Sequence, residues 1–93
     1  MHFVFYGKDK KGALQVRVDN RPAHVEWLKS NPIVLAGPML DENGDMSGSM
    51  VVCEAADQAA ADALFASDPY GKAGLFESVE ISPWKWVIGA PAE

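Results

Sequence analysis

A chain of 93 residues has room for one domain, because single domains most often contain about 100 to 150 residues. Apolar residues make up 48% of the chain and charged residues 23%, a balance typical of a folded globular protein. The formal net charge is −5 without any lysine or arginine cluster, which excludes the electrostatic pattern of a nucleic-acid or anionic-membrane binder.

Targeting and redox features favour a cytoplasmic location. Cys53 is the single cysteine, so an internal disulfide is excluded. The N-terminus has no basic region ahead of an apolar run, as a secretory signal would have. No apolar stretch approaches the roughly 20 residues that a membrane helix needs. We therefore expect a soluble cytoplasmic protein.

The beginning of the chain predicts a strand followed by a helix. Residues 2–7 are rich in aromatic and β-branched side chains on both faces, which indicates a strand whose two sides need cover. Residues 13–18 are expected to form one or two helical turns. The main helix is expected over residues 21–30, with Asn20 as its N-cap and Pro22 in its first turn.

The middle of the chain predicts a hairpin. Asn31-Pro32 ends the helix, since the residue before a proline is pushed out of the α region. Residues 33–40 form an apolar strand in which Gly37-Pro38 indicates an edge or a bulge beside a pocket. Asn43-Gly44 is a strong hairpin signal, and residues 50–54 form the returning strand.

The last part of the chain predicts a second helix and a long strand. Asp57 caps a helix that extends to about residue 66, and residues 69–74 form a short extra turn. Residues 75–88 are expected to form a strand whose apolar parity changes at Pro83. A bulge at Ser82-Pro83, or a strand that leaves its own sheet to cover a second one, would explain this change. The last five residues are expected to be a frayed tail.

The order β-α-β-β-α-β is that of a ferredoxin-like α+β fold, in which a four-stranded antiparallel sheet carries two helices on one face. We expect residues 1–93 to form a single domain of this kind. Because both helices cover the same side, the apolar residues of the other side remain exposed in a monomer. The sequence therefore predicts a homodimer that packs sheet against sheet.

His24 is the strongest candidate for catalysis. At about 100° per residue it lies in the middle of the apolar arc of its helix, between Trp27 and Leu28. In the expected topology Asp68, after the second helix, can lie beside it. A carboxylate that accepts a hydrogen bond from one imidazole nitrogen fixes the tautomer, which a general base requires. The alternatives are a structural histidine and an aspartate that only caps a helix.

Several other side chains are weaker candidates. Tyr6, Tyr70 and Ser49 offer hydroxyls to a substrate pocket, although sheet packing explains Tyr6 and the hairpin end explains Ser49 equally well. Trp84 and Trp86 resemble a ligand-stacking pair but suit a sheet-face core or a dimer contact better. These residues therefore rank below His24.

Metal and cofactor sites have little support. His2 and His24 are the only histidines, and no His-x-x-x-His or Cys-x-x-Cys spacing occurs. No glycine-rich nucleotide-binding loop occurs either. Cys53 lies mid-strand among apolar residues, as a buried inert thiol does. We expect no metal and no cofactor.

Six short elements in a fixed order carry a family resemblance. They are the aromatic first strand with Tyr6, Arg21-Pro22-Ala23-His24, Ala36-Gly37-Pro38, Gly48-Ser49, Ser67-Asp68-Pro69-Tyr70, and the closing strand over residues 77–87. Each is short, but their order and spacing together are specific. Over nearly its whole length the chain resembles the YciI-like (YCII-related) family.

The resemblance implies a ferredoxin-like dimer related to the dimeric α+β barrel proteins. It also implies an active site with a histidine and an aspartate, which correspond to His24 and Asp68. A dehydrochlorinase acting on a chlorinated lactone is the member type that links this family to lyase chemistry. By the same resemblance, the pocket neighbours are Arg21, Gly37, Pro38, Ser49 and Tyr70.

Three functions follow as hypotheses. The first is a cofactor-independent enzyme in which His24 moves a proton during elimination or isomerisation of a small organic acid or lactone, with Asp68 orienting it and Arg21 binding an anionic group. The second is a non-catalytic, regulatory module that binds a small molecule or an anion in the same pocket. The third is a cofactor-free monooxygenase, which no residue of the sequence favours specifically.

Overall fold

The computed structural model describes residues 1–90, and these residues form a four-stranded sheet and three helices. The strands pair antiparallel in the order β2-β3-β1-β4, so the expected ferredoxin-like α+β fold is confirmed. The predicted tail lies partly outside the described residues. No helix within residues 1–90 is long and apolar enough to cross a membrane. The strands are β1 (His2–Asp9), β2 (Ile33–Leu40), β3 (Met46–Glu54) and β4 (Phe76–Trp84), and the helices are α1 (Leu14–Lys29), α2 (Gln58–Ala66) and α3 (Pro69–Lys72).

The core lies between the sheet and the two longer helices. Because side chains alternate along a strand, Phe3 and Phe5 of β1 point to the same face. In register they pair with Cys53 and Val51 of β3, and all four are almost fully buried. From α2, the Phe65 ring lies with its centroid 4.7 Å from that of Phe5. Burial of this apolar surface is what holds the helices on the sheet.

The opposite side of the sheet, here called the open face, is also apolar. It consists of Val4 and Tyr6 of β1, Met50 and Val52 of β3, and Leu35 of β2. Three of these side chains are 37–43% exposed. This is the surface on which the sequence predicts dimerisation.

Helix α1 differs from its prediction. The two helical pieces expected before and after Asn20 are one continuous helix, so Asn20 is not its N-cap. Instead, the Asn20 side-chain amide donates to the Val16 carbonyl oxygen at 2.9 Å. Pro22 lies inside the helix, where a proline costs about 3 kcal/mol because it lacks a backbone donor and crowds the preceding turn. The first half of the helix is anchored in the core through Arg17, by an ion pair described below.

The hairpin between β2 and β3 is tighter than predicted. Asp41 Oδ1 accepts backbone hydrogen bonds from Asn43 at 2.8 Å and from Asp45 at 3.0 Å. An aspartate that bonds its own following backbone closes a turn within a few residues. Strand β3 therefore begins at Met46 and not at residue 50.

Strand β4 is shorter than predicted and has no bulge at Ser82-Pro83. It ends at Trp84 because its partner β1 begins at His2, the residue opposite Trp84. Pairing is continuous at this end, with Pro83 opposite Phe3. No bulge is needed to explain the change in apolar parity. Side chains alternate normally along β4, so Pro83 points toward the helices and Trp84 points to the other side of the sheet. Pro83 is tolerated because β4 is an edge strand.

Gly48 sets how closely β1 and β3 approach. A Cβ at Gly48 would lie 2.6 Å from the carbonyl oxygen of Gly7, a backbone atom that cannot move aside alone. We expect Gly48→Ala to lower the free energy of unfolding by about 1–3 kcal/mol, measured by urea denaturation. Gly37→Ala is the matched control, because a Cβ there would meet nothing within 4 Å. Equal losses in the two variants would contradict the steric explanation.

Candidate active site

A cleft of about 120 Å³ lies between α1 and the β2–β3 hairpin. Its side along β2 is open, because β2 is an edge strand and most of its residues are exposed. Helix α3 contributes one further wall. The predicted site residues that line this cleft are Arg21, His24, Gly37, Pro38, Ser49 and Tyr70.

His24 lines this cleft and forms a buried pair with Asp68, which is not itself one of the lining residues. His24 Nδ1 lies 2.8 Å from Asp68 Oδ1, and the two residues are 7% and 1% exposed. Because a carboxylate offers only acceptors, a ring hydrogen lies on Nδ1, and in the neutral imidazole the lone pair is then on Nε2. Within residues 1–90, Nε2 has no hydrogen-bond partner. In its neutral form, His24 therefore has one ring nitrogen left as a hydrogen-bond acceptor at the lining of the cleft.

Asp68 is held in place by the start of α3. Its Oδ1 also accepts the backbone hydrogen of Tyr70 at 3.0 Å, as an N-cap does. The two roles that the sequence left as alternatives, a helix cap and a partner of His24, therefore occur together. Asp68 Oδ2 is buried without a hydrogen-bond partner in the described part of the chain. The contact with His24 is thus the main compensation for this carboxylate.

Aromatic stacking fixes the plane of the imidazole. The Tyr70 ring stacks on His24 with centroids 3.9 Å apart and an interplanar angle of 15°. Trp27 also stacks on His24, at 6.1 Å and 21°. The guanidinium carbon of Arg17 lies 4.7 Å from the Tyr70 centroid, so the phenol ring fills the space between Arg17 and His24. The orientation of the imidazole is therefore set before a ligand enters.

Arg17 is the cleft residue that the sequence analysis missed. Its Nε and Nη2 each donate to a carboxylate oxygen of Asp9 at 2.7 Å, and both side chains are buried. Nη2 also donates to Ser49 Oγ at 2.9 Å. Burial opposes the charge of Arg17, but the hydrogen bond and charge of Asp9 outweigh it and raise the pKa of the guanidinium. One signal was available: Arg17 and His24 are seven residues apart and share a helix face.

Arg21 is exposed at the mouth of the cleft. Among residues 1–90 it forms no ion pair, whereas Arg17 is neutralised by Asp9. The net positive charge that faces the cleft is therefore that of Arg21. A guanidinium in this state is suited to bind an anionic oxygen.

The remaining sequence candidates lie elsewhere. Tyr6 is on the open face and is not brought into the cleft. Trp84 and Trp86 pack against each other with centroids 5.5 Å apart, near the chain's N-terminus. Cys53 is in the core, where burial raises the pKa of its thiol. Within residues 1–90, no three His, Cys, Asp or Glu side chains cluster as metal ligands would.

The phenol of Tyr70 makes the stability of the fold depend on pH in the alkaline range. Burial raises the pKa of Tyr70, against the charges of Arg17 and Arg21, which lower it. The folded chain therefore keeps the phenol proton at a pH where the unfolded chain, with an ordinary pKa of 10.0, has lost it. The stability that the protonated phenol contributes is complete below the pKa of Tyr70 in the unfolded chain. It is lost as the pH rises through the higher pKa of Tyr70 in the folded chain.

We expect Tyr70→Phe to reduce the alkaline loss of stability. The measurement is the free energy of unfolding in urea at a series of pH values on both sides of 10.0, the unfolded pKa of the phenol. The raised pKa of Cys53 acts in the same direction, but it is common to both proteins and cancels in the difference. An identical alkaline slope in wild type and Tyr70→Phe would contradict this prediction.

Comparison with known proteins assigns the family. Residues 1–85 match the model of the YCII-related domain. "Protein YciI" of Escherichia coli O6:H1 (strain CFT073) is 36% identical over 98 aligned positions, which cover 95% of this chain and all of that protein. The chain belongs to the YCII-related family, as the sequence resemblance predicted.

Solved structures extend this comparison. The 5-chloro-2-hydroxyhydroquinone dehydrochlorinase of Burkholderia phenoliruptrix AC1100, in complex with 2,5-dihydroxybenzoquinone, is 37% identical with a TM-score of 0.83, covering 91% of this chain and 94% of that one. Its name specifies a chlorinated hydroquinone and not a lactone. An uncharacterized NIPSNAP domain protein of Burkholderia xenovorans is 13% identical with a TM-score of 0.56, covers 98% of each chain and shares the fold alone.

Proposed function

We propose that this protein is a cofactor-independent, lyase-type enzyme that uses His24 and Asp68 for acid/base chemistry on a small organic acid, a lactone or another ring with oxygen substituents. The observation that carries the proposal is the 2.8 Å contact between His24 Nδ1 and Asp68 Oδ1 at the wall of a cleft. Elimination is favoured over isomerisation because a structure 37% identical to this chain is that of a dehydrochlorinase.

In the proposed mechanism His24 Nε2 is the general base. From a saturated ring it takes a C–H proton, and the electrons of that bond form a C=C bond and expel the leaving group from the adjacent carbon as an anion. In a hydroxylated aromatic ring, a hydroxyl proton first moves to the carbon that bears the leaving group, which makes that carbon tetrahedral and the oxygen a carbonyl. Nε2 then takes the proton of a second hydroxyl, and the electrons of that O–H bond shift through the neighbouring C=C bond, expel the leaving group as an anion and leave a quinone. In a dehydrochlorination the leaving group is chloride. Asp68 stabilises the imidazolium that forms, because its Oδ1 already lies within hydrogen-bond distance of Nδ1. Water then takes the proton from Nε2 and restores the neutral imidazole.

The rest of the cleft supports binding of a small anionic ring. Its volume of about 120 Å³ is below the roughly 300–1,000 Å³ of most drug-sized ligand pockets. Arg21, which has no ion pair within residues 1–90, pairs with an anionic oxygen of the substrate in this proposal. Gly37 and Pro38 form the facing wall on β2 and limit the width of the ring.

Turnover is the test of the proposed function. Purified protein incubated anaerobically with 5-chloro-2-hydroxyhydroquinone should release chloride faster than buffer does, and the rate should not change when a metal chelator is added. A chlorinated lactone serves as the second substrate. A ligand that binds and is recovered unchanged, without chloride release from either compound, would overturn the enzyme and favour a non-catalytic binding module.

We also propose that the protein is a homodimer through its open face. Support comes from Tyr6, Leu35 and Met50, which are large apolar side chains 37–43% exposed on a side of the sheet without helices. Sedimentation at micromolar concentration should give the mass of two chains, and Tyr6→Glu should give one. Lys11→Glu, in an exposed turn far from this face, is the control. A wild-type monomer would contradict this proposal.

A further inference from the structure

The hydroxyl of Ser49 has one hydrogen-bonding role that is fixed by its surroundings. Ser49 lines the cleft and is 3% exposed. Its Oγ lies 2.9 Å from Arg17 Nη2. A guanidinium carries donors and no acceptor, so Ser49 must accept in this contact. The hydroxyl hydrogen of Ser49 is then left to donate to another group.

Within residues 1–90 that hydrogen has no acceptor, since the only hydrogen bond of Ser49 Oγ there is the one from Arg17. The neighbouring Ser47 on the same strand differs, because its hydroxyl donates to the Met39 carbonyl oxygen at 3.4 Å. A buried donor without a partner is costly, so such donors are normally paired. The free donor of Ser49 therefore lies where a ligand in the cleft would meet it.

Arg17 cannot rotate to release Ser49 from this role. Two hydrogen bonds of 2.7 Å to Asp9 hold the guanidinium, and both side chains are buried. The Tyr70 ring lies against the same group, 4.7 Å from its central carbon. A hydrogen bond from a charged donor also polarises the hydroxyl and strengthens its own donor capacity.

We propose that Ser49 determines specificity by donating a hydrogen bond to an acceptor oxygen of the substrate, a carbonyl or an ionised hydroxyl, and that Arg17 is the residue that positions Ser49 for this. The inference rests on the proposed function, because it concerns the same cleft. It deepens that function by naming the substrate class: a small ring with an acceptor oxygen at this position, in preference to a ring of the same shape with an amino group there.

Calorimetric binding tests the role of Ser49 independently of turnover. The probes are 2,5-dihydroxybenzoquinone, which carries acceptor oxygens, and 1,4-diaminobenzene, which carries donors on a ring of the same size. Wild type should prefer the quinone, and Ser49→Ala should weaken quinone binding about 10- to 100-fold, as expected for a lost bond to a charged acceptor. Ser49→Thr should retain most of the affinity because it keeps the hydroxyl. Ser47→Ala should bind as wild type does.

The role of Arg17 is tested by combining variants. Arg17→Lys keeps the positive charge but cannot donate hydrogen bonds to Asp9 and Ser49 at the same time, as the guanidinium does. It should therefore lower quinone affinity to the level of Ser49→Ala. The double variant should bind no more weakly than either single variant, because both changes remove the same interaction. Additive losses would overturn the positioning role.

Other outcomes separate this inference from the proposed function. A wild type that binds neither probe, binds both equally, or binds the quinone as tightly with Ser49→Ala overturns the role of Ser49. If the wild-type protein still releases chloride in such a case, the proposed function stands without a role for Ser49. A protein that binds the quinone through Ser49 but never turns over a substrate keeps this inference and rejects the enzyme.

Discussion

His24→Ala should abolish turnover while the protein stays folded with its oligomeric state unchanged. The change removes an imidazole that lines the cleft and carries the proposed general base, and general acid/base catalysis of this kind contributes about 10²- to 10⁴-fold to a rate. It also leaves the Asp68 carboxylate without its closest partner, which should cost about 1–3 kcal/mol of stability. The measurements are the initial rate of chloride release, sedimentation, and urea denaturation.

His2→Ala is the matched control for this variant. His2 contacts Glu54 at 2.9 Å on β3, away from the cleft, so its loss should leave the rate unchanged. Imidazole added to the solution should restore part of the activity of His24→Ala, because the deleted ring leaves space beside Tyr70. Wild-type activity in His24→Ala would reject the proposed mechanism.

Arg17→Met should lower the free energy of unfolding by about 3–5 kcal/mol, the largest stability change that we expect from a single substitution here. The physical reason is the Asp9 carboxylate, which is 7% exposed and would lose the two hydrogen bonds that compensate its burial. Urea denaturation near neutral pH is the measurement.

Two variants isolate this effect. Arg21→Met removes the same kind of side chain from an exposed position without an ion pair in residues 1–90, so its stability should stay within about 0.5 kcal/mol of wild type. Replacing Asp9 by leucine in the Arg17→Met background should recover part of the loss, because no buried charge then remains unpaired. Equal losses of stability in Arg17→Met and Arg21→Met would contradict the stabilising role of the buried Arg17–Asp9 pair.

Local patterns predicted most of the fold. The aromatic and β-branched run in β1, the apolar run in β2 and the Asp57 cap of α2 each depend on neighbouring residues, and each element occurs where its pattern places it. The element order then restricts the topology to a ferredoxin-like sheet. That topology, with the family resemblance, was enough to place Asp68 beside His24.

Long-range contacts explain what the sequence analysis missed. Asn20 and Pro22 are local start signals for a helix, but α1 runs through both of them, and Arg17 in its first half pairs with Asp9 outside the helix. No local pattern marks that ion pair. The end of β4 depends on where the partner strand β1 starts, which the composition of β4 cannot reveal. In each case a distant part of the chain decided the outcome.

The double role of Asp68 has a consequence for changing what the protein recognises. A substitution there would disturb the start of α3 and the imidazole together, so this position has little freedom to vary. The β2 wall is different: most of its residues are exposed, and Ala36 and Pro38, opposite Val51 and Ser49 of β3, point to the cleft side of the sheet. A library that seeks new selectivity should randomise Ala36 and Pro38 and leave Asp68 fixed, whereas a side chain at Gly37, opposite Met50, would point to the open face. Such substitutions would leave the contact between His24 and Asp68 intact.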